Sequence, residues 1–188
     1  MGTAVSNLKF KKEDIWSLPN IMGYFRILLI PVFCWLFLTA ETVSDYYKSG
    51  AVVLVSTLTD FLDGFVARKC NMITELGKFV DPVADKFTHG ALVGCLASRY
   101  SLLWVLFGIM VLKEGFMLLV GYLKLRQGKK LNGASWYGKV CTALLFGVIC
   151  LLLFWVEIPA PLANGLIGLC LAVHIFAWFM YALEYRKL

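Results

Sequence analysis

Four aspartates, Asp60, Asp63, Asp81 and Asp85, sit inside or at the edge of stretches apolar enough to span a bilayer. One carboxylate at the centre of a membrane helix costs roughly 2.5–3.5 kcal/mol, so four unpaired ones would cost on the order of 10 kcal/mol or more. Something must offset that cost. Asp60 and Asp63 are three residues apart and Asp81 and Asp85 four apart, so each pair shares a helix face. Small Gly64 and Ala67 lie on the turn that follows the first pair, where a bulky ligand can come close to the backbone. Acid-only oxygen ligands favour hard cations such as Mg²⁺ or Mn²⁺, which commonly bridge protein carboxylates to substrate phosphates. The spacing points to a divalent-metal site for a diphosphate, built on two helices.

From Asp60 through Asp85 the chain reads D-x2-D-G-x2-A-R-x8-G-x3-D-x3-D, eight defined residues over 26 positions. This resembles the signature of the CDP-alcohol phosphatidyltransferases, with every fixed position and spacing intact. The resemblance implies an enzyme that moves the phosphatidyl group of a CDP-activated lipid to an alcohol, with CMP leaving. It implies Mg²⁺ or Mn²⁺, as two ions that neutralise the diphosphate and the charge on attacking and leaving oxygens. Asp60, Asp63 and Asp81 would be metal ligands. Asp85 would stand at the edge of the metal site as the general base for the acceptor hydroxyl. By the same resemblance Gly64 and Ala67 leave room for the nucleotide, Arg68 pairs with a phosphate and Gly77 permits close helix approach. A purely structural acid cluster, balanced by Arg68, Lys78 and Lys86, would account for the charge but not for the glycine and alanine positions.

The elements that must carry these residues are membrane helices. The chain of 188 residues suits one domain, 1–188, and is 60% apolar with a mean hydropathy of +0.77, above the globular norm of about 45–50%. Six stretches reach the length of a span, about 20 residues: 21–40, 50–67, 79–98, 101–123, 136–156 and 162–183. The expected fold is therefore all-α, an integral membrane bundle of six transmembrane helices. Residues 8–18, LKFKKEDIWSL, interleave apolar and charged residues and predict a short amphipathic helix on the interface, ending at Pro19. The basic residues divide unevenly between the connections. Lys9, Lys11, Lys12, Arg68, Lys69, Lys78, Lys124, Arg126, Lys129, Lys130, Arg186 and Lys187 fall on one side, and only Lys48 and Arg99 on the other. Both termini and the aspartate site are thus expected on the cytoplasmic side. The net charge of +6 suits an anionic lipid surface.

Six scattered cysteines without a C-x2-C pair read as packing residues rather than a disulfide framework or a zinc site. The Met1-Gly2…Ser6 pattern for acylation adds nothing to a chain with six spans, and no signal-peptide cleavage pattern is evident. Aromatic interleaving of the nucleic-acid-binding kind is absent, so no nucleic-acid partner is expected.

Other polar residues in the spans extend the resemblance. Pro19-Asn20…Arg26 is similar to a P-N-x2-[ST]-x2-R segment of the family, with Gly23 where a hydroxyl is usual. Asn20 is read with the CDP-lipid site, and Arg26 as an acceptor contact or a side chain snorkelling to the interface. Ser135-Trp136-Tyr137-Gly138-Lys139-Val140-Cys141-Thr142 resembles the S-W-x-G-K-x-K-T segment of the phosphatidylglycerophosphate synthases, with Lys139 as a phosphate anchor. Lys113 either pairs with Glu114 or reaches an acceptor phosphate. His89 and His174 read as packing residues.

Glycerol 3-phosphate is accordingly the expected acceptor. Cys141 replaces a second lysine, and Lys113-Glu114 an Arg-Glu pair. These departures leave room for an acceptor without a phosphate monoester, such as the phosphatidylglycerol used by cardiolipin synthases; an inositol or inositol-phosphate transferase is the other alternative within the family. Intramembrane prenyltransferases also bind diphosphates through acidic helices but lack the D-G-x2-A-R frame. A divalent-cation transporter would be expected to show broken helices or repeats. Members of the family are often homodimers, and that expectation rests on resemblance alone.

Overall fold

The computed structural model describes residues 16–69, 74–127 and 135–187, with every side chain there except those of Arg68, Glu75, Lys78, Phe79, Pro82, Leu125 and Lys187. Its described residues form six α-helices and no strand: α1 Leu18–Leu38, α2 Val43–Lys69, α3 Glu75–Leu96, α4 Leu102–Arg126, α5 Trp136–Phe154 and α6 Ala160–Lys187. All but α3 are long and apolar enough to cross a membrane. The third expected span fails that test of composition because it carries the acids Asp81 and Asp85 together with Lys78 and Lys86. The chain is a multi-pass membrane protein. Most of the expected interfacial helix 8–18 lies outside the described residues. Its last residue, Leu18, opens α1, and Pro19 occupies the first turn of that helix, where a missing N–H costs nothing.

The chain divides into two compact units, Met1–Ala91 and Leu92–Leu188. In the first, α1 and α2 pack side by side. Thr42 and Asp45 close the start of α2 as a capping box: Thr42 N and Oγ1 donate to Asp45 Oδ2 at 3.1 and 2.7 Å, and Asp45 N donates to Thr42 Oγ1 at 3.3 Å. This cap is why α2 begins well before residue 50: the polar start is invisible to hydropathy. Phe37 packs on Phe33 and edge-on against Tyr46, which fixes the turn between the helices. From that aromatic end, α2 buries Ser49, Val53, Ser56 and Asp63, spaced as one helical stripe. The facing stripe of α1 is Phe37, Phe33, Arg26, Gly23 and Asn20. Leu28, Trp35, Leu54, Leu58 and Phe61 are exposed, which suits contact with lipid rather than water.

In the second unit α6 packs against both α4 and α5. Its buried residues Ala163, Ile167, Cys170, His174, Ala177 and Tyr181 recur every three or four positions. Leu145, Ile149 and Leu152 of α5 are equally buried. Arg99 Nη2 donates to the Val156 carbonyl at 2.9 Å, tying the turn before α4 to the segment after α5.

Candidate active site

The end of the α1–α2 seam opposite the aromatic turn is where the acids stand. Asp60 and Asp63 continue the buried stripe of α2, while Asp81 and Asp85 lie on α3. All four approach one cation, the guanidinium of Arg26 on α1. Nη1 pairs with Asp60 Oδ1 and lies 2.8 Å from Asp85 Oδ1. Nη2 lies 3.4 Å from Asp63 Oδ2 and 3.6 Å from Asp81 Oδ1. Arg26 is 2% exposed and Asp63 is 3% exposed, whereas about half of each of the other three carboxylates remains open. The buried pair is incompletely satisfied: Arg26 Nε and Nη2 and Asp63 Oδ2 make no hydrogen bond.

Arg26 is expected from the sequence as an acceptor contact or a side chain snorkelling to the interface. Its burial rules out the snorkelling alternative, and the structure places it among the aspartates. The side chain of Arg68 lies outside those described. Gly64 and Ala67 are half-buried on α2, beside the first acidic pair. His89, one turn beyond Asp85, donates from Nδ1 to the Asp85 carbonyl at 2.8 Å.

Helix α3 is aimed by a contact that the sequence did not advertise. Thr74 caps its first turn, accepting from Gly77 N at 2.9 Å. The same hydroxyl oxygen accepts from Asn20 Nδ2 at 3.1 Å, so a buried asparagine of α1 holds the α3 N-terminus. A Cβ on Gly77 would lie 2.7 Å from Asn20 Oδ1, and one on Gly23 would lie 3.2 Å from Val80 Cγ1 and 3.7 Å from Asp81 Oδ1. The two glycines let α1 and α3 come this close. The signal for the cap was legible as Thr74 immediately before Glu75; its partner Asn20 was not.

Lys113 and Lys139 belong to the second unit. Lys113 is buried, with Nζ 3.3 Å from Glu114 Oε1. Lys139 is exposed on the first turns of α5, and Cys141 beside it is fully buried. The N-terminus of α5 is held by Glu184 of α6, which accepts from Ser135 Oγ at 2.9 Å and from the Tyr137 hydroxyl. A Cβ on Gly138 would collide with the Tyr181 hydroxyl. Neither Tyr181, inside the last apolar stretch 162–183, nor Glu184, just past it, carries a local sequence signal for this role. His174 donates from Nδ1 to the Cys170 carbonyl at 2.9 Å and is fully buried.

The profile of the CDP-alcohol phosphatidyltransferases matches residues 16–184, from the turn before α1 almost to the end of α6. The chain belongs to the CDP-alcohol phosphatidyltransferase family. Its relatives include proteins named CDP-diacylglycerol–glycerol-3-phosphate 3-phosphatidyltransferase from Escherichia coli K12, Shigella flexneri serotype 5b and Shigella sonnei. Each is 32% identical, over 76% of this chain and 81% of the relative. CDP-alcohol phosphatidyltransferases use divalent metal ions, and the donor set here fits such an ion. Its oxygens are hard carboxylate ligands, three are accessible, and the fourth group keeps a buried oxygen without a hydrogen bond. Among the described residues, no three acidic, histidine or cysteine side chains close around a single point tightly enough to enclose a metal directly. They are instead arranged around the guanidinium.

Proposed function

We propose that this CDP-alcohol phosphatidyltransferase moves the phosphatidyl group of CDP-diacylglycerol to glycerol 3-phosphate, giving phosphatidylglycerophosphate and CMP. The observation that carries the reading is the approach of Asp60, Asp63, Asp81 and Asp85 to one cation within an unbroken family signature. The names of the Escherichia coli and Shigella relatives favour glycerol 3-phosphate as the alcohol.

In this reading Asp60, Asp63 and Asp81, with Asp85 at the edge, hold two ions, Mg²⁺ or Mn²⁺. Bound there, the ions supply the positive charge that neutralises a diphosphate and the oxygens exchanged at phosphorus. Asp85 takes the proton from the acceptor hydroxyl. The acceptor oxygen forms its bond to the phosphorus of the phosphatidyl group as the bond to the CMP oxygen breaks, and CMP leaves with that electron pair. Gly64 and Ala67 leave space for the nucleotide, Arg68 meets a phosphate, and Asn20 with Gly77 sets the approach of α1 to α3. Arg26, Lys113 and Lys139 are the cations for the acceptor phosphate, which brings about two negative charges. The lysine and arginine distribution supports cytoplasmic termini and a cytoplasmic active site, and the family supports a homodimer in the bilayer.

The test is turnover of the purified protein with CDP-diacylglycerol and Mg²⁺ or Mn²⁺ against glycerol 3-phosphate, phosphatidylglycerol, myo-inositol, its phosphate and serine. Phosphatidylglycerophosphate formed fastest supports the assignment. Faster formation of cardiolipin or an inositol lipid would replace it.

A further inference from the structure

We infer that Arg26 is a built-in counter-ion of the metal site, occupying the carboxylate cluster until a divalent cation displaces its guanidinium. The inference rests on the reading of the four aspartates as metal ligands, and goes beyond it by assigning their state before the metal arrives.

Three observations lead there. The same guanidinium lies within 3.6 Å of an oxygen of every acid in the signature, so it and a metal ion draw on the same lone pairs. The fit is electrostatic rather than geometric. An arginine fork stabilises a carboxylate best through paired, aligned N–H bonds, yet Nε and Nη2 of Arg26 make none, and neither does the buried Asp63 Oδ2. The guanidinium therefore holds the cluster with only part of its bonding capacity, which leaves it replaceable by a cation of higher charge. Without a cation, four acids at the end of a membrane helix seam would be driven apart by mutual repulsion and a buried Asp63 would be left uncompensated. Arg26 prevents that while leaving the outer faces of Asp60, Asp81 and Asp85 half-open. Two positive groups placed against the same carboxylates repel each other strongly in a partly buried site. Metal entry and Arg26 departure are accordingly one coupled event, and the freed guanidinium is available to an anionic substrate.

The experiment uses the full chain in detergent, stripped with EDTA and titrated with Mn²⁺ in the absence of substrate, with free Mn²⁺ read by electron paramagnetic resonance. Arg26→Gln removes the competitor and should bind Mn²⁺ at least about 10-fold more tightly than the unaltered protein. Arg26→Lys, which keeps the charge without the fork, should fall between. The Tm of Arg26→Gln should lie below that of the unaltered protein in EDTA, and the gap should shrink at saturating Mn²⁺.

A second measurement needs no variant and so does not depend on one folding. Labelling of Arg26 in the unaltered protein with phenylglyoxal, quantified by mass spectrometry, should be low in EDTA and rise several-fold with Mn²⁺. Equal or weaker Mn²⁺ affinity in Arg26→Gln, or Arg26 equally protected with and without Mn²⁺, would overturn the inference alone, provided that Mn²⁺ binding still requires Asp63. If the unaltered protein binds no Mn²⁺, or binds it equally well after Asp63→Asn, the metal reading falls and this inference with it.

Discussion

Replacing Gly77 by alanine isolates the contact that aims α3 at the site. In an ordinary first helical turn the change is favourable by up to about 1 kcal/mol, because alanine loses less backbone entropy. Here the new Cβ would stand 2.7 Å from Asn20 Oδ1 and 3.1 Å from Thr74 Oγ1, against 3.4 Å or more for ordinary contact. Asn20 is 1% exposed and bonded to Thr74, so it has little room to yield. Overpacking of this kind costs about 1–3 kcal/mol, which exceeds the propensity gain. A net loss of about 1–2 kcal/mol in a chain of this size lowers Tm by roughly 2–8 °C. Activity should fall with it, since Asp81 lies one helical turn beyond Gly77. The discriminating measurement is a double-mutant cycle by thermal unfolding in detergent. Asn20→Ala alone should destabilise, because it strips a partner from Thr74. In that background most of the Gly77→Ala penalty should disappear, because the 2.7 Å obstruction is gone and only the milder 3.1 Å approach to Thr74 Oγ1 remains. A Gly77→Ala protein with unchanged or raised Tm, or a penalty undiminished without the Asn20 amide, would refute the argument.

Asp63→Asn removes the buried charge of a proposed metal ligand and should abolish CDP-diacylglycerol binding and turnover together, measured by lipid binding and CMP release. Asp85→Asn should retain CDP-lipid binding and lower kcat by about 10²–10⁴-fold, the loss expected for a missing general base; near-normal kcat would remove that role. Lys139→Ala should raise KM for glycerol 3-phosphate while leaving CDP-lipid affinity nearly unchanged. An unaltered acceptor KM would take Lys139 out of the acceptor site and move the preference to a lipid acceptor.

What the sequence made legible was periodic and local. The spacing of Asp60 with Asp63 and of Asp81 with Asp85 was enough to place each pair on a helix face, and apolar length was enough to find the helices. The misplaced ends have a common cause. The Thr42–Asp45 cap is made of polar residues, and hydropathy reads polar residues as connection. Arg26 shows the other limit. Its pairing with Asp60 spans 34 residues and that with Asp85 spans 59, and periodicity within a helix gives a face without naming the helix it meets. Gly23 makes the same point. Along the chain it is a missing hydroxyl, whereas in the fold a side chain there would press on Val80 and approach Asp81. Tyr181 and Glu184 carry no local signal at all, because their importance comes from Gly138, Ser135 and Tyr137 on another helix.

The single stripe along α2 also governs which changes the protein tolerates. Ser49, Val53 and Ser56 grip α1 on the same face that further along becomes Asp60 and Asp63. A residue several turns from the chemistry can thus rotate or lift the acids simply by altering the seam, while a near neighbour on the outer face does nothing. Leu54, Leu58 and Phe61 are exposed on the opposite side, where a change of apolar side chain leaves the seam untouched. Tolerance to substitution along this helix is therefore sorted by angle around the axis rather than by distance from Asp60.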